Sequence, residues 1–127
     1  MSREKSGVPR IEYTDEFKRN IRGLAKKYRS LRSDVQEVIN QIERGEILGD
    51  QIPGIGYAVF KVRVRNSDIR KGKRSGYRLL YYLKHRDLVI LVTLYSKLDQ
   101  SDVSIREIRR IIKEFEIQHP EFSAKSL

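Results

Sequence analysis

The sequence contains no cysteine and only two histidines. The lack of cysteine excludes disulfides, thiolate nucleophiles and cysteine-ligated zinc sites, and it fits a protein of the reducing cytoplasm. His85 is expected in a turn and His119 in the C-terminal tail, so neither is a candidate acid or base of an active site. Any catalytic chemistry must therefore come from other side chains.

Long apolar runs are also missing. The most apolar stretch, Leu88–Tyr95, is far shorter than the roughly 20 residues that a helix needs to cross a bilayer. Residues 1–10 are polar and lack the apolar stretch of a secretory signal. We therefore expect no membrane partner and a cytoplasmic location.

Negative charge is scarce compared with positive charge. The 127 residues include 27 Lys and Arg but only 17 Asp and Glu, which gives a formal net charge of +10. The length fits one domain with a modest hydrophobic core. The excess charge predicts attraction to a polyanion, which includes nucleic acid, an anionic membrane surface or an acidic protein.

The N-terminal half predicts a strand and a helical hairpin. Residues 1–9 are expected to form a disordered arm, followed by a short strand at 11–13. Thr14 is a candidate cap for the first helix. A second helix is predicted to start at Ser33, because Ser33 and Gln36 have the spacing of a capping box.

The C-terminal half predicts three strands and a helix. The stretch 45–56 is rich in glycine and is predicted to be a loop that also ends the second helix. Strict alternation predicts a half-buried strand over 60–65, and two more strands, apolar on both faces, are expected at 77–83 and 88–95. Ser104 is a candidate cap for the last helix.

This order of elements predicts an α+β domain. The expected fold is a small, mostly antiparallel β-sheet with an N-terminal helical hairpin and a C-terminal helix, in the order β-α-α-β-β-β-α. The domain is predicted to span residues 10–117, and residues 118–127 are predicted to form a frayed tail.

Positive charge is concentrated between residues 61 and 78. Eight of these eighteen positions are Lys or Arg: Lys61, Arg63, Arg65, Arg70, Lys71, Lys73, Arg74 and Arg78. Side chains alternate along a strand, so the first three are expected on one face, about 6–7 Å apart. Like charges in a row are unfavourable without a counter-charge, which indicates an anionic ligand, although a solvated edge strand has the same pattern.

Other side chains near this region are candidates for the same site. The Arg78 guanidinium is able to bind a phosphate with two hydrogen bonds, or to form an ion pair with Asp99 or Asp102. Tyr82 is four residues after Arg78 in the same predicted strand, so both side chains are expected on one face of the sheet. Tyr82 is therefore the best candidate for base stacking among the strand tyrosines, most of which are expected in the core. Lys97 follows the last strand and is a candidate member of the basic cluster. Acids just before a helix usually interact with its dipole.

Three segments of this sequence resemble the RelE/ParE toxin superfamily, with the HigB-like RelE toxins as the most similar branch. They are Phe60-Lys61-Val62-Arg63-Val64-Arg65, Gly72-Lys73-Arg74-Ser75-Gly76-Tyr77-Arg78-Leu79-Leu80-Tyr81-Tyr82 and Tyr95-Ser96-Lys97. The resemblance covers about residues 10–116. It implies a toxin of a type II toxin–antitoxin system that enters the ribosomal A site and cuts mRNA without a metal or cofactor.

The resemblance also implies roles for individual residues. Lys61 and Arg63 match the family's basic strand pair, and Arg78 matches the arginine that stabilises the phosphate. Lys61 is the candidate general acid or base. Lys97 completes the expected catalytic group. The remaining candidates are expected to bind RNA: Arg65, Arg70, Lys71, Lys73, Arg74 and Tyr82. The implied partners are a cognate antitoxin, the ribosome and mRNA.

The sequence departs from RelE at two positions. Leu98 stands where RelE has an arginine just past the last strand, and Ser104 stands where RelE has a tyrosine near the last helix. Lys97 is a candidate substitute for the missing arginine. Two alternatives remain open at this point: a ParE-like inhibitor of DNA gyrase, and a non-catalytic module that binds nucleic acid.

Overall fold

A mixed β-sheet between two layers of helices organises the chain. The computed structural model describes residues 8–69 and 76–123. The elements are β1 (Arg10–Tyr13), α1 (Asp15–Lys27), α2 (Leu31–Glu43), β2 (Asp50–Gln51), β3 (Val59–Val64), β4 (Tyr77–His85), β5 (Leu88–Ser96), α3 (Ile105–Gln118) and α4 (Pro120–Ser123). Within those residues, no helix is long and apolar enough to cross a membrane.

The five strands lie in the order β1-β5-β4-β3-β2. β1 runs parallel to β5, and the other three pairings are antiparallel. β4 and β5 form the central hairpin and are buried on both faces, which explains their continuous apolar sequences. The predicted α+β fold with a mostly antiparallel sheet is confirmed.

β2 is an element that the glycine-rich stretch 45–56 does not predict. Its two residues are exposed and polar, so they carry no alternating pattern. Asp50 pairs with Lys61 and Gln51 pairs with Phe60. The strand therefore exists because the edge of β3 offers it a partner.

Each face of the sheet carries its own hydrophobic core. On one face, α1 and α2 cover a cluster that includes Phe17 and Leu79. On the other face, Ile108 of α3 joins a cluster that includes Leu80 and Ile90. Because neighbouring strand residues point to opposite faces, Leu79 and Leu80 serve different cores.

The start of α1 is confirmed, whereas the predicted start of α2 is wrong. Thr14 Oγ1 accepts a hydrogen bond from the Phe17 amide at 2.9 Å. α2 begins at Leu31, which is completely buried, and Ser33 is inside the helix with its hydroxyl bonded to the Ser30 carbonyl. The Ser30 amide is instead satisfied by the Asp68 carboxylate, a contact across 38 residues that local spacing does not reveal.

The C-terminal part is more structured than predicted. Ser104 caps α3 by accepting a hydrogen bond from the Glu107 amide at 3.1 Å, as expected. The expectation of a frayed tail from residue 118 is wrong for residues 118–123, because α3 includes Gln118 and α4 follows it. Phe122 is partly buried and stacks on Phe115 with 5.9 Å between the ring centroids. Residues 1–7 of the predicted arm and 124–127 of the predicted tail lie outside the described residues.

Thr14→Ala is expected to destabilise the fold by about 1–3 kcal/mol. The buried Thr14 hydroxyl caps α1 and also donates to the Val92 carbonyl of β5 at 2.7 Å, so alanine removes two bonds at once. Equilibrium unfolding in urea measures the loss. Thr14→Ser keeps the oxygen and should restore most of the stability.

Ser33→Ala is the matched comparison for Thr14→Ala, because Ser33 is the predicted cap of α2 that the structure does not use as a cap. Because the exposed Ser33 does not cap α2, its loss should change the free energy of unfolding by less than about 0.5 kcal/mol. An effect of Ser33→Ala as large as that of Thr14→Ala would contradict the assigned helix starts.

Candidate active site

Strand alternation separates the apolar and cationic side chains of β3. Val62 and Val64 pack with the core beneath α1 and α2. Val59 joins the core beneath α3. Lys61 and Arg63 are two and four residues after Val59, so their side chains point to the same face of the sheet. Since Arg63 is exposed while Val59 is fully buried, the cationic end of β3 lies beyond the part of this face that α3 covers.

An open cleft of about 600 Å³ lies at this uncovered end of the sheet. Its lining is Gly49, Asp50, Lys61, Val62, Arg63, Arg78, Lys97 and Asp102. The four side chains predicted as catalytic therefore come together in one cleft, supplied by β3, β4 and the segment after β5. Two carboxylates accompany them.

Arg63 and Arg78 face each other across β3 and β4, where they are directly opposed in the register. Arg63 is exposed, whereas Arg78 is only 7% exposed. Burial, and secondarily the nearby Arg63 charge, lower the pKa of Arg78. Arg78 Nη1 donates to the Tyr77 carbonyl at 3.3 Å, which helps to hold the guanidinium. The pair forms a cationic patch able to bind a phosphate with several hydrogen bonds.

Tyr95 on β5 lies next to the pair of arginines, since it is directly opposed to Arg78 across β4 and β5. Its ring is buried in the core beneath α3, and its hydroxyl donates to Asp102 Oδ1 at 2.8 Å. Burial and the Asp102 carboxylate raise the pKa of Tyr95, so the hydroxyl keeps its proton at neutral pH. Sequence reasoning assigned Tyr95 no role in the site, because Tyr95, like most of the strand tyrosines, was expected in the core, and its ring is in fact buried.

Asp102 contacts both lysines of the cleft. Its Oδ1 lies 3.6 Å from Lys61 Nζ and 3.4 Å from Lys97 Nζ. The hydrogen bond from Tyr95, followed by the two ammonium groups, lowers the pKa of Asp102. The sequence indicated Asp102 as an acid shortly before a helix, which a dipole interaction also explains, and as a possible ion-pair partner of Arg78.

Asp99 and Asp102 are the two carboxylates considered as ion-pair partners of Arg78, and of these two Asp102 lines the cleft together with Arg78. Asp99 lies outside the cleft lining and bonds instead to Lys27 and the Tyr28 hydroxyl. Within residues 8–69 and 76–123, no carboxylate lies within ion-pair distance of Arg63. Among these residues, Arg63 therefore differs from Lys61 and Lys97, which both contact Asp102.

The predicted RNA-binding residues lie in different places relative to the cleft. Arg65 is exposed just beyond β3 and does not line the cleft. Tyr82 is only 8% exposed and packs edge-on against Tyr57, with 5.2 Å between the ring centroids. The expectation that a base stacks on Tyr82 is therefore corrected: its ring is part of the core. The other predicted positions lie outside the described residues: Arg70, Lys71, Lys73 and Arg74.

The two departures from RelE also have defined places. Ser104 serves as the cap of α3, and Leu98 is half exposed in the segment after β5. Lys97, the candidate substitute for the missing arginine, does reach the cleft. In the part of the chain that the structure describes, no group of three or more His, Asp or Glu side chains is arranged to hold a metal ion.

A comparison with protein families was made over the whole sequence. The model described as the RelE toxin of the RelE/RelB toxin–antitoxin system matches residues 10–127. The matched range contains every described helix and strand and all four cations of the cleft.

Gly49→Ala is expected to destabilise the protein and disturb the cleft. Gly49 has a φ of +81°, and an added Cβ would lie 2.3 Å from the Lys61 carbonyl oxygen. The preceding residue, Leu48, is tied to the Tyr81 hydroxyl by two hydrogen bonds, so this segment has little room to move. The backbone strain alone costs about 1–3 kcal/mol, measurable by urea unfolding.

Gly23→Ala is the matched control and should have the opposite sign. Gly23 lies in α1, and an added Cβ would have no atom within 4 Å apart from the neighbouring backbone of its own helix. Alanine in a helix is favoured over glycine by about 0.5–1 kcal/mol. Equal effects of the two substitutions would contradict the close approach of Gly49 to β3.

Proposed function

This chain belongs to the RelE family of toxins from toxin–antitoxin systems, and from that premise we propose that it is a ribosome-dependent endoribonuclease that cleaves mRNA. RelE toxins are generally endoribonucleases. The HigB-like branch within the family stays a prediction. A target on the ribosome would place the protein in the cytoplasm.

The observation that carries the proposal is the convergence of four cations in one cleft. The same open space is lined by Lys61 and Arg63 from β3, Arg78 from β4, and Lys97 from the segment after β5. A buried arginine beside a second arginine is electrostatically unfavourable in the free protein. A phosphate would remove this repulsion and accept hydrogen bonds from both guanidinium groups.

The proposed reaction uses the 2′-hydroxyl of the substrate as the nucleophile. The 2′ oxygen bonds to phosphorus, the bond from phosphorus to the 5′ oxygen breaks, and a cyclic phosphate and a 5′-hydroxyl result. The 2′-hydroxyl loses a proton and the leaving 5′ oxygen gains one. The protein must therefore align the strand, stabilise negative charge around phosphorus and move two protons.

The cleft divides these tasks between two pairs of residues. Arg63 and Arg78 are directly opposed and suit the charge that develops on the phosphate. Lys61 and Lys97 approach a common carboxylate and are the groups proposed to move protons. Arg65, just outside the cleft, is proposed to bind the RNA strand as it leaves.

A cognate antitoxin is implied by membership of the family. The net charge of +10 favours an acidic segment as the part of the antitoxin that covers the toxin. The same charge favours binding to ribosomal RNA when the antitoxin is absent.

Arg63→Ala and Arg78→Ala are each expected to slow mRNA cleavage by at least about 10²-fold, the usual effect of losing a charge contact made in the transition state. Purified ribosomes programmed with a defined mRNA, with cleavage mapped by primer extension, provide the measurement. Arg78→Lys is a second variant for the buried position, because it keeps the charge but loses the planar fork.

Arg22→Ala is the matched control, since it removes the same charge from the exposed face of α1 on the opposite side of the sheet. Its cleavage rate should stay within about threefold of the wild type, because it makes no contact in the cleft. A loss below tenfold in both arginine variants, with folding intact, contradicts the assignment. Stalled supercoiling by gyrase with intact mRNA would overturn the proposal in favour of a ParE-like inhibitor, and RNA binding without cleavage would favour a non-catalytic module.

A further inference from the structure

One acidic side chain, Asp102, is at the centre of the lysine side of this cationic cleft. It belongs to the segment between β5 and α3, and its side chain is 57% exposed. The same oxygen, Oδ1, contacts the Tyr95 hydroxyl at 2.8 Å, Lys97 Nζ at 3.4 Å and Lys61 Nζ at 3.6 Å. Three donors, one from β3 and two from the C-terminal end of β5, thus converge on a single atom.

Tyr95 anchors this carboxylate to the sheet. The Tyr95 ring is 4% exposed and packs in the core beneath α3, which sets the position of its hydroxyl. The hydrogen bond from Tyr95 is the largest influence that lowers the pKa of Asp102. Asp102 is therefore ionised at neutral pH and is held in place from the buried side.

The anchored carboxylate brings two like charges together. Lys61 projects from β3, and Lys97 follows the last residue of β5, so β4 lies between the strands that carry them. Two ammonium groups repel each other at close range unless an anion lies between them. Oδ1 of Asp102 occupies that position.

We propose that Asp102 is a positioning residue that holds Lys61 and Lys97 side by side for proton transfer in the cleft. This inference rests on the proposed nuclease function. A lowered pKa makes Asp102 a weak proton acceptor near neutral pH, which is why its own role is to orient the lysines and not to act as the general base.

A carboxylate in this place has a second effect, because it repels the phosphates of the substrate. Removing its charge should strengthen RNA binding while it releases the two lysines from their shared position. The expected signature is a fall in kcat together with an unchanged or lower KM. A residue that only supports the fold would lower the amount of active protein without this combination.

Asp102→Asn keeps the shape and an acceptor oxygen but removes the charge. In the assay on programmed ribosomes, kcat is expected to fall by about 10- to 100-fold, the usual consequence of misplacing a reacting group by about 1 Å. The matched control is Asp99→Asn in the same segment, whose carboxylate bonds to Lys27 and Tyr28 outside the cleft lining. Asp99→Asn should leave kcat and KM unchanged.

Tyr95→Phe tests the anchor, because it keeps the buried ring and removes only the hydroxyl that donates to Asp102. Its kcat should fall in the same direction, and the double variant with Asp102→Asn should lose no more than the more damaging single variant, since both act through one contact. Circular dichroism and thermal unfolding confirm that each variant is folded.

Three results would overturn the inference. They are a kcat of Asp102→Asn equal to or above that of the wild type, a rise in KM with kcat unchanged, and fully additive losses in the double variant. Wild-type protein that leaves mRNA intact would instead remove the proposed function. Wild-type cleavage with normal cleavage by Asp102→Asn removes only the role of Asp102.

Discussion

Incomplete cover of one face of the sheet is the constraint on which the rest of the structure depends. β4 and β5 must be buried on both faces because their sequences are apolar on both. α1 and α2 cover one face, and α3 covers part of the other. The side chains that α3 does not reach must be compatible with water or with a ligand, and this is where the cations of β3 and β4 lie.

The concentration of like charge in the cleft opposes folding locally. Arg78 is buried beside Arg63, and burial and this neighbour both disfavour its charged form. The register of β3 and β4 nevertheless keeps the two residues opposed, because six consecutive pairs hold the strands together. Unfavourable local interactions that the rest of a stable fold maintains are typical of functional sites.

The two carboxylates give the cleft an internal division of charge. Asp102 compensates the lysines, while within the described part of the chain Arg63 has no carboxylate at ion-pair distance. Asp50 lies across from Lys61 at the edge of the sheet. In the proposed reaction, the arginine side binds the substrate phosphate, and the lysine side is already organised before the substrate arrives.

Much of the fold could be predicted from local patterns. The alternation of β3, the apolar runs of β4 and β5, and the caps at Thr14 and Ser104 all depend on neighbours in the sequence, which explains why those expectations are confirmed. The shared face of Lys61 and Arg63 follows from the same two-residue period. The excess of positive charge and the family resemblance were also visible in the sequence alone.

Tertiary structure decided the features that depend on distant contacts. Asp68 and the burial of Leu31 set the start of α2, and packing against Tyr57 placed Tyr82 in the core. The meeting of Asp102, Tyr95 and Lys61 requires the register of three strands and the path of the chain after β5. A local pattern specifies which way a side chain points, but its partners are known only once the strands are paired, because pairing joins residues that are far apart in sequence.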